Sequence, residues 1–82
     1  MAPPLLQLMS RRACCLCEDA ERVLADFEAQ GRCQLQCIDV DQDMALAARY
    51  GMDVPVLLLD GAVCLKHQVT SQAVESLLEA IC

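Results

Sequence analysis

Two cysteines near the start of the chain have a spacing that suits redox chemistry. Cys14 and Cys17 form a C-x-x-C pair between a predicted strand and a predicted helix. Residues three apart share one face of a helix, so the two sulfurs can meet. Cys14 is expected at the helix N-terminus, where unpaired backbone N–H groups favour a thiolate, the nucleophilic form of cysteine. The pair predicts a dithiol that cycles to a disulfide, with Cys14 as nucleophile and Cys17 as resolving thiol.

Two arginines and a third cysteine adjoin this pair. Arg11 and Arg12 are candidates to support the Cys14 thiolate with positive charge, and the alternative is that both are simply solvated surface side chains. On an ideal helix Cys15 points about 100° away from Cys14, so we expect it not to compete within the pair. Cys15 is then a bystander or a second reactive thiol.

A thiolate site for a metal or an Fe–S cluster is a second interpretation of the same residues. Cys14, Cys15 and Cys17 are close in sequence, and thiolates select zinc, copper(I) or Fe–S clusters. His67 is a candidate fourth ligand, although a lone loop histidine is more often solvated. Against a metal, adjacent cysteines give no obvious tetrahedral set and the chain has no second C-x-x-C.

Length and composition limit the protein class. The 82 residues are 56% hydrophobic and 22% charged, which indicates a single packed domain over residues 1–82. A net charge of −6 and the absence of tryptophan disfavour nucleic acid and anionic membranes as partners. No stretch approaches the ~20 apolar residues of a membrane span, and no signal peptide is recognisable. We therefore expect a cytoplasmic monomer.

Seven cysteines in so short a chain could indicate a disulfide scaffold, but their number is odd and no export signal accompanies them. In a reducing cytosol most of these thiols should stay free. Cys33 and Cys37 share a strand face with Leu35 and are predicted to be buried structural thiols. Cys82 is predicted to be a frayed, exposed thiol, and the sequence assigns no role to Cys64.

The first half of the chain predicts a strand, a helix and a strand. Residues 5–9 are mostly apolar and indicate a central strand with helices on each side. Residues 14–30 indicate a helix that ends at Gly31, and residues 33–40 indicate a second strand. The apolar stripe of the helix is predicted to consist of Leu16, Ala20, Val23, Leu24 and Phe27.

The second half predicts a short helix, a hairpin and a last helix. Asp41 or Asp43 is expected to cap a helix that ends near Tyr50. Residues 56–59 form an apolar strand, joined through Asp60 and Gly61 to an antiparallel strand over residues 62–65. Ser71 is expected to cap the last helix. The predicted fold is α/β, in the order βαβ-α-ββα, with a four-stranded mixed sheet flanked by helices.

The combined features resemble a known family. A C-x-x-C pair opens the first helix, Val54 and Pro55 directly precede the third strand, and a hairpin and terminal helix follow. This arrangement resembles the thioredoxin fold in its smallest, glutaredoxin-like form, over nearly the whole chain. Residues 14–20, 40–41, 49–51 and 54–57, with Asp60 and Gly61, are similar to short bacterial glutaredoxin-like proteins.

The resemblance implies a thiol–disulfide oxidoreductase with a cis peptide bond before Pro55. In that fold the proline lies against the cysteine pair and leaves the preceding backbone free to pair with a substrate strand. Arg12, Val54 and Pro55 are therefore the candidate substrate-binding residues. A third interpretation, besides the enzyme and the metal module, is a non-catalytic thioredoxin-fold interaction protein that uses the hydrophobic rim near Val54 and Pro55.

The chain departs from classical glutaredoxins where they hold glutathione. Those proteins usually have Thr before Val-Pro, where this chain has Asp53, and Gly-Gly followed by Asp near the last helix, where it has residues 67–72. The acidic net charge also disfavours an anionic tripeptide. We expect no tightly bound cofactor, and these departures disfavour the binding of glutathione. The predicted partner is a disulfide-containing protein or a small thiol substrate.

Overall fold

The computed structural model describes residues 3–81, and its elements follow the predicted order. A short 3₁₀ turn, Val40–Gln42, is the one addition to that order. The prediction for Cys82 lies outside the described residues. The elements are β1 (Leu5–Ser10), α1 (Cys15–Ala29), β2 (Gln34–Asp39), α2 (Met44–Tyr50), β3 (Val56–Leu59), β4 (Ala62–Lys66) and α3 (Ser71–Ile81).

The four strands form one mixed sheet in the order β2-β1-β3-β4. β1 pairs in parallel with β2, and β3 is antiparallel to both β1 and β4. The carboxyl ends of β1 and β2 therefore meet the start of β3 at one edge of the sheet. This mixed sheet with flanking helices confirms the predicted fold class.

The two central strands of the sheet, β1 and β3, are mostly buried on both faces, as the apolar character of β1 predicts. One face packs against α1 and α3, and the other packs against α2. The first cluster consists of Leu6, Leu8, Ala20, Leu24, Phe27, Cys33, Leu57, Val69, Val74 and Leu78. The second cluster consists of Met9, Val40, Tyr50, Val56 and Leu58. Leu8 belongs to the first cluster and Met9 to the second because successive side chains of a strand lie on opposite faces.

The apolar stripe of α1 differs from the prediction at its first turn. Leu16 is 47% exposed, whereas Cys17 is 2% exposed and continues the buried line through Ala20, Leu24 and Phe27. These buried positions are spaced by three or four residues, and Leu16 lies about 100° away from Cys17 around the helix. The sequence pattern could not distinguish the two because both residues are apolar. The consequence is that Cys17, the second cysteine of the C-x-x-C pair, belongs to the packed face.

The helix caps explain where the helices begin. Of the two aspartates predicted as caps of α2, Asp43 takes that place, since its Oδ1 accepts hydrogen bonds from the N–H groups of Ala45 and Leu46. The prediction that Ser71 caps α3 is wrong by one residue. Thr70 takes that place, because its Oγ1 accepts the Ala73 N–H at 3.1 Å and Ser71 is already helical.

The predicted hairpin is confirmed. Asp60 and Gly61 connect β3 to β4 with φ values of 52° and 81°, as a two-residue primed turn requires. The register then shifts by one residue between Leu57 and Leu58, so that Cys64 is the extra residue of a β-bulge in β4. Gly31, with φ of 75°, ends α1 in the left-handed conformation that was predicted.

The predicted burial of the two β2 thiols holds for one of them. Cys33 is buried within the α1–α3 cluster, whereas Cys37 is exposed. β2 is an edge strand, and beside its carboxyl half an open groove separates it from α1, which leaves Cys37 uncovered. Among the helices within residues 3–81, none has the length and apolar character needed to cross a membrane.

Candidate functional site

The C-x-x-C pair lies in the short connection between β1 and α1, where the sequence placed it. Cys14 is the N-cap residue of α1, and its Sγ accepts the backbone N–H of Cys17 at 3.3 Å. The carbonyl oxygen of Cys14 accepts the Glu18 N–H at 3.0 Å, which starts the helical ladder. Cys14 is half-buried, so its sulfur is both in contact with a backbone donor and open to solvent. Cys14 Sγ therefore caps the first turn of α1 and remains accessible to a substrate.

Cys17 has the opposite environment. Its side chain is 2% exposed, and burial, with a smaller contribution from the adjacent Cys14 sulfur, raises the pKa of the Cys17 thiol to about 12. A backbone hydrogen bond from Arg11 partly offsets this rise. At neutral pH Cys17 therefore holds its proton. The two thiols are close together but chemically distinct, one accessible at a helix end and one buried and protonated.

Arg11 is not an isolated cation beside Cys14, because its guanidinium is paired with Asp41 and Gly51. Its Nη2 and Nε donate to the two carboxylate oxygens of Asp41 at 2.7 and 3.2 Å, and its Nη1 donates to the Gly51 carbonyl oxygen at 3.0 Å. The Arg11 guanidinium lowers the pKa of Asp41, mainly through these hydrogen bonds, so the carboxylate remains charged well into acid. Arg11 thus connects the dithiol loop with the 3₁₀ turn and with the end of α2.

Arg12 is the freer of the two arginines. Its side chain is 89% exposed, and its Nε lies 3.9 Å from an oxygen of Asp39. It borders the open groove of about 400 Å³ between α1 and β2. The groove is lined by Ser10, Arg11, Arg12, Ala13, Glu18, Glu21, Cys37 and Asp39. The sequence did not predict that Cys37 would face this groove, because strand alternation alone does not show where an edge strand loses its cover.

The loop before β3 approaches the same edge of the sheet. The Val54–Pro55 peptide bond is cis, Pro55 is buried and Val54 is half-buried. The backbone N–H of His67 donates to the carbonyl oxygens of Pro55 at 2.8 Å and of Asp53 at 3.2 Å. The Asp53 carboxylate lies 3.8 Å from Lys66 Nζ and 3.7 Å from His67 Nε2. The Asp53 carboxylate therefore lies between two side chains of the same protein, Lys66 and His67.

The residues proposed as metal ligands are not assembled into a site. Within residues 3–81, no group of three or more His, Cys, Asp or Glu side chains is arranged to hold a metal ion. His67 contacts Asp53 in the loop before β3 and is not grouped with the three clustered cysteines. The structure therefore brings together Cys14 and Cys17 as a pair, without a ligand set around them.

Comparison with known proteins agrees with this arrangement. Residues 5–79 match the model of the glutaredoxin-like domain, which spans most of the chain. The chain belongs to this family. As a glutaredoxin-like domain it places its C-x-x-C pair at the β1–α1 junction and its Val-Pro before β3, which are two of the features that carry the resemblance.

Solved structures share the fold. A structural-genomics target protein from X. campestris is 31% identical, with a TM-score of 0.77, and the match covers 92% of this chain and 96% of that one. A mutant thioredoxin from Halobacterium salinarum is 30% identical, with a TM-score of 0.68, over 93% of this chain and 72% of that one. Thioredoxin-2 of the malaria parasite shares the fold at 18% identity, with a TM-score of 0.70, over 95% and 82% of the two chains.

Proposed function

We propose that this glutaredoxin-like domain is a thiol–disulfide oxidoreductase, with Cys14 as the nucleophile and Cys17 as the resolving thiol. The observation that carries the proposal is the contrast between the two sulfurs. Cys14 Sγ accepts a backbone N–H at the start of α1, whereas the Cys17 thiol is buried with its pKa raised to about 12. The accessible Cys14 sulfur reacts first, and the protonated Cys17 thiol reacts in the second step.

The reaction transfers two electrons from the dithiol to the substrate. The Cys14 thiolate attacks one sulfur of a substrate disulfide, forms a mixed disulfide and releases the other substrate sulfur as a thiolate. Cys17 then gives its proton to the substrate thiolate released in the first step and attacks Cys14 Sγ. This step forms the Cys14–Cys17 disulfide and releases the second substrate thiolate. An external thiol reductant reduces the disulfide and completes the cycle.

We assign substrate binding to Val54, Pro55 and Arg12. Val54 and the cis Pro55 belong to the loop before β3, which reaches the same sheet edge, and a substrate segment would lie against them. Arg12, with its exposed guanidinium, would contact acidic or carbonyl groups on the substrate. The exposed Leu16, between the two cysteines, adds an apolar surface for a protein substrate.

A dithiol or protein thiol is proposed as the reductant, in preference to glutathione. Asp53 stands directly before Val54, and its carboxylate would face the carboxylates of a tripeptide bound along this loop. Its negative charge is partly offset by Lys66 and His67, which lie 3.8 and 3.7 Å away. Turnover with dithiothreitol as reductant is therefore expected to exceed turnover with glutathione at the same thiol concentration.

The test is disulfide reduction by the purified chain, with insulin as substrate and dithiothreitol as reductant. Cys14→Ser is expected to abolish reduction, because serine keeps the cap but is not a redox nucleophile. Cys17→Ser is expected to accumulate a mixed disulfide at Cys14, detectable by mass spectrometry. Cys64→Ser is the matched control, since Cys64 lies on β4 and makes only a weak contact with the Ala62 carbonyl oxygen.

Thiol counting in redox buffers supplies a second measurement that does not depend on the choice of substrate. The wild-type chain is expected to lose two thiols together at a defined potential, and peptide mapping should find them at Cys14 and Cys17. If all thiols remain reduced at about −250 mV, within the cytosolic range, the oxidoreductase proposal is wrong. Protein binding without reduction would favour the interaction-protein interpretation.

A further inference from the structure

We propose that Arg11 is a positioning residue for the dithiol: it fixes the distance between the Cys14 loop and the Val54–Pro55 loop and does not act through its charge. This inference rests on the proposed function, and it assigns to one side chain the geometry that the reaction needs. Arg11 follows β1 directly and lies three residues before the nucleophile. Its side chain reaches two segments that are far away in sequence, at Asp41 and Gly51.

The contacts of Arg11 have the form of a clamp. Two guanidinium nitrogens, Nε and Nη2, meet the two oxygens of Asp41, which is the planar, bidentate geometry that arginine makes with a carboxylate. The third nitrogen, Nη1, donates to the Gly51 carbonyl oxygen at 3.0 Å. One side chain thereby joins the β1–α1 loop, the 3₁₀ turn after β2 and the end of α2.

The Gly51 contact connects Arg11 to the loop that contains Pro55. Only three residues separate Gly51 from Pro55, and the Asp53 N–H donates to the Tyr50 carbonyl oxygen at 2.8 Å, which keeps that loop close to the end of α2. A Cβ at residue 51 would collide with the Ala47 carbonyl oxygen and stand 3.3 Å from Arg11 Nη1. Glycine at this position therefore leaves room for the guanidinium.

The backbone of Arg11 faces the dithiol at the same time. The Arg11 backbone lowers the pKa of the Cys17 thiol, and the next residues lead through Ala13, with φ of 56°, to Cys14. A left-handed alanine is a conformation that the surrounding structure has to maintain. Because the Arg11 side chain is fixed at its far end, the start of this loop is fixed as well. The positions of the Cys14 and Cys17 sulfurs follow from it.

The contacts also oppose a role for Arg11 as a source of positive charge. Its guanidinium is neutralised by the Asp41 carboxylate at 2.7 Å, so little net charge remains to act on Cys14. The two roles predict opposite results for Asp41→Asn. If Arg11 acted by charge, removal of the Asp41 charge would leave Arg11 unneutralised and make Cys14 more reactive. If Arg11 positions the loop, the loss of one carboxylate oxygen weakens the clamp and makes Cys14 less effective.

The experiment compares kcat and KM for insulin reduction in four variants: Arg11→Met, Arg11→Lys, Asp41→Asn and Arg22→Met. Arg22 is the matched control, because it pairs with Asp19 at 3.6 Å on the exposed side of α1. We expect kcat/KM to fall at least about tenfold in Arg11→Met, since small misplacements of reacting groups are costly. Arg11→Lys should restore little of this activity, because an ammonium cannot donate the two parallel hydrogen bonds that the guanidinium makes with Asp41. Asp41→Asn should also lose activity. Arg22→Met should match the wild type.

A second readout does not require turnover. The rate at which iodoacetamide alkylates Cys14 is measured from pH 5 to pH 9 by peptide mass spectrometry, under conditions where circular dichroism shows each variant folded. Arg11→Met and Asp41→Asn should both react more slowly than Arg22→Met. If Arg11→Met does not fold, Asp41→Asn alone tests the inference.

The outcomes separate this inference from the proposed function. A wild-type chain that reduces no disulfide refutes the oxidoreductase proposal, and the alkylation rates still test the clamp. An active wild type whose Arg11→Met variant equals Arg22→Met in both measurements refutes the clamp alone. Faster alkylation in Asp41→Asn, with rescue by Arg11→Lys, would show that Arg11 acts by charge and would also refute it.

Discussion

Burial of Cys17 should make the stability of the reduced protein depend on alkaline pH. The pKa of this thiol rises from its ordinary value of 9.0 to about 12 in the folded chain, chiefly because burial disfavours the thiolate. The folded state therefore keeps a proton that the unfolded state releases. The resulting contribution to the free energy of unfolding is complete below pH 9 and is lost as pH rises toward 12.

The size of the effect follows from the shift. One pKa unit corresponds to about 1.4 kcal/mol, so the full shift is worth about 4 kcal/mol across the window. At pH 10.5 the unfolded thiol is almost fully ionised and the folded one is not, which makes the expected loss about 2 kcal/mol relative to neutral pH. For a domain of this size that loss is a substantial part of a typical total stability of about 5–15 kcal/mol.

The measurement is urea unfolding of the reduced chain between pH 7 and pH 10.5, with a phosphine reductant present throughout. Cys17→Ala is the comparison, because it removes the titrating group and leaves the other ionisable side chains in place. The wild-type free energy of unfolding should fall more steeply than that of Cys17→Ala by about 2 kcal/mol over this range. Parallel curves for the two proteins would show that Cys17 ionises as easily in the folded chain as in the unfolded one.

Three further predictions concern the core, the Arg11 clamp and the β2 thiols. Leu24→Ala, at a fully buried position of α1, should lower the free energy of unfolding by about 2–5 kcal/mol in urea titrations, and a change near zero would contradict the packing described. Because Arg11 lowers the pKa of Asp41, the Arg11–Asp41 pair stabilises the folded state above the ordinary carboxyl pKa. This stabilisation is lost as pH falls through the lower pKa that Asp41 has in the folded chain. The Tm values of the wild type and Asp41→Asn, measured by thermal unfolding from pH 5 to pH 2, should converge toward pH 2. A constant difference between the two Tm values would be inconsistent with the lowered pKa of Asp41. Brief iodoacetamide treatment of the folded chain should modify Cys37 before Cys33, and peptide mapping that finds the reverse order would contradict their observed exposure.

The sequence predicted the fold well because its signals are local and unambiguous. Asp60 and Gly61 predict a two-residue hairpin on their own, and the spacing of apolar residues predicts α1 without knowledge of its neighbours. The position of Cys14 at the start of α1 followed from the change of period between the strand and the helix. The family resemblance then joined these elements into one topology.

The predictions that failed depended on contacts that a linear pattern does not contain. Cys37 has the strand parity of Leu35, but its exposure depends on where α1 stops covering β2. Thr70 and Ser71 are both good cap residues, and only the backbone decides which hydroxyl reaches the free N–H groups.

The Arg11 contacts could have been partly anticipated from topology. Arg11 and Asp41 each follow one of two parallel strands, β1 and β2, whose carboxyl ends lie side by side. An arginine and an aspartate in these two places are within reach of each other once the βαβ unit is recognised. The Gly51 carbonyl contact had no comparable signal, because any residue carries such an oxygen.

Because the Cys14 sulfur caps α1, the evolutionary substitutions open to this position are unequal. Serine, aspartate and asparagine supply a cap oxygen to the same backbone N–H groups, whereas alanine supplies none. A lineage that abandoned redox chemistry could therefore keep the helix by exchanging sulfur for oxygen at residue 14. Relatives with Ser, Asp or Asn there would keep the start of the helix without the proposed redox chemistry, and relatives with alanine would need a new way to start the helix.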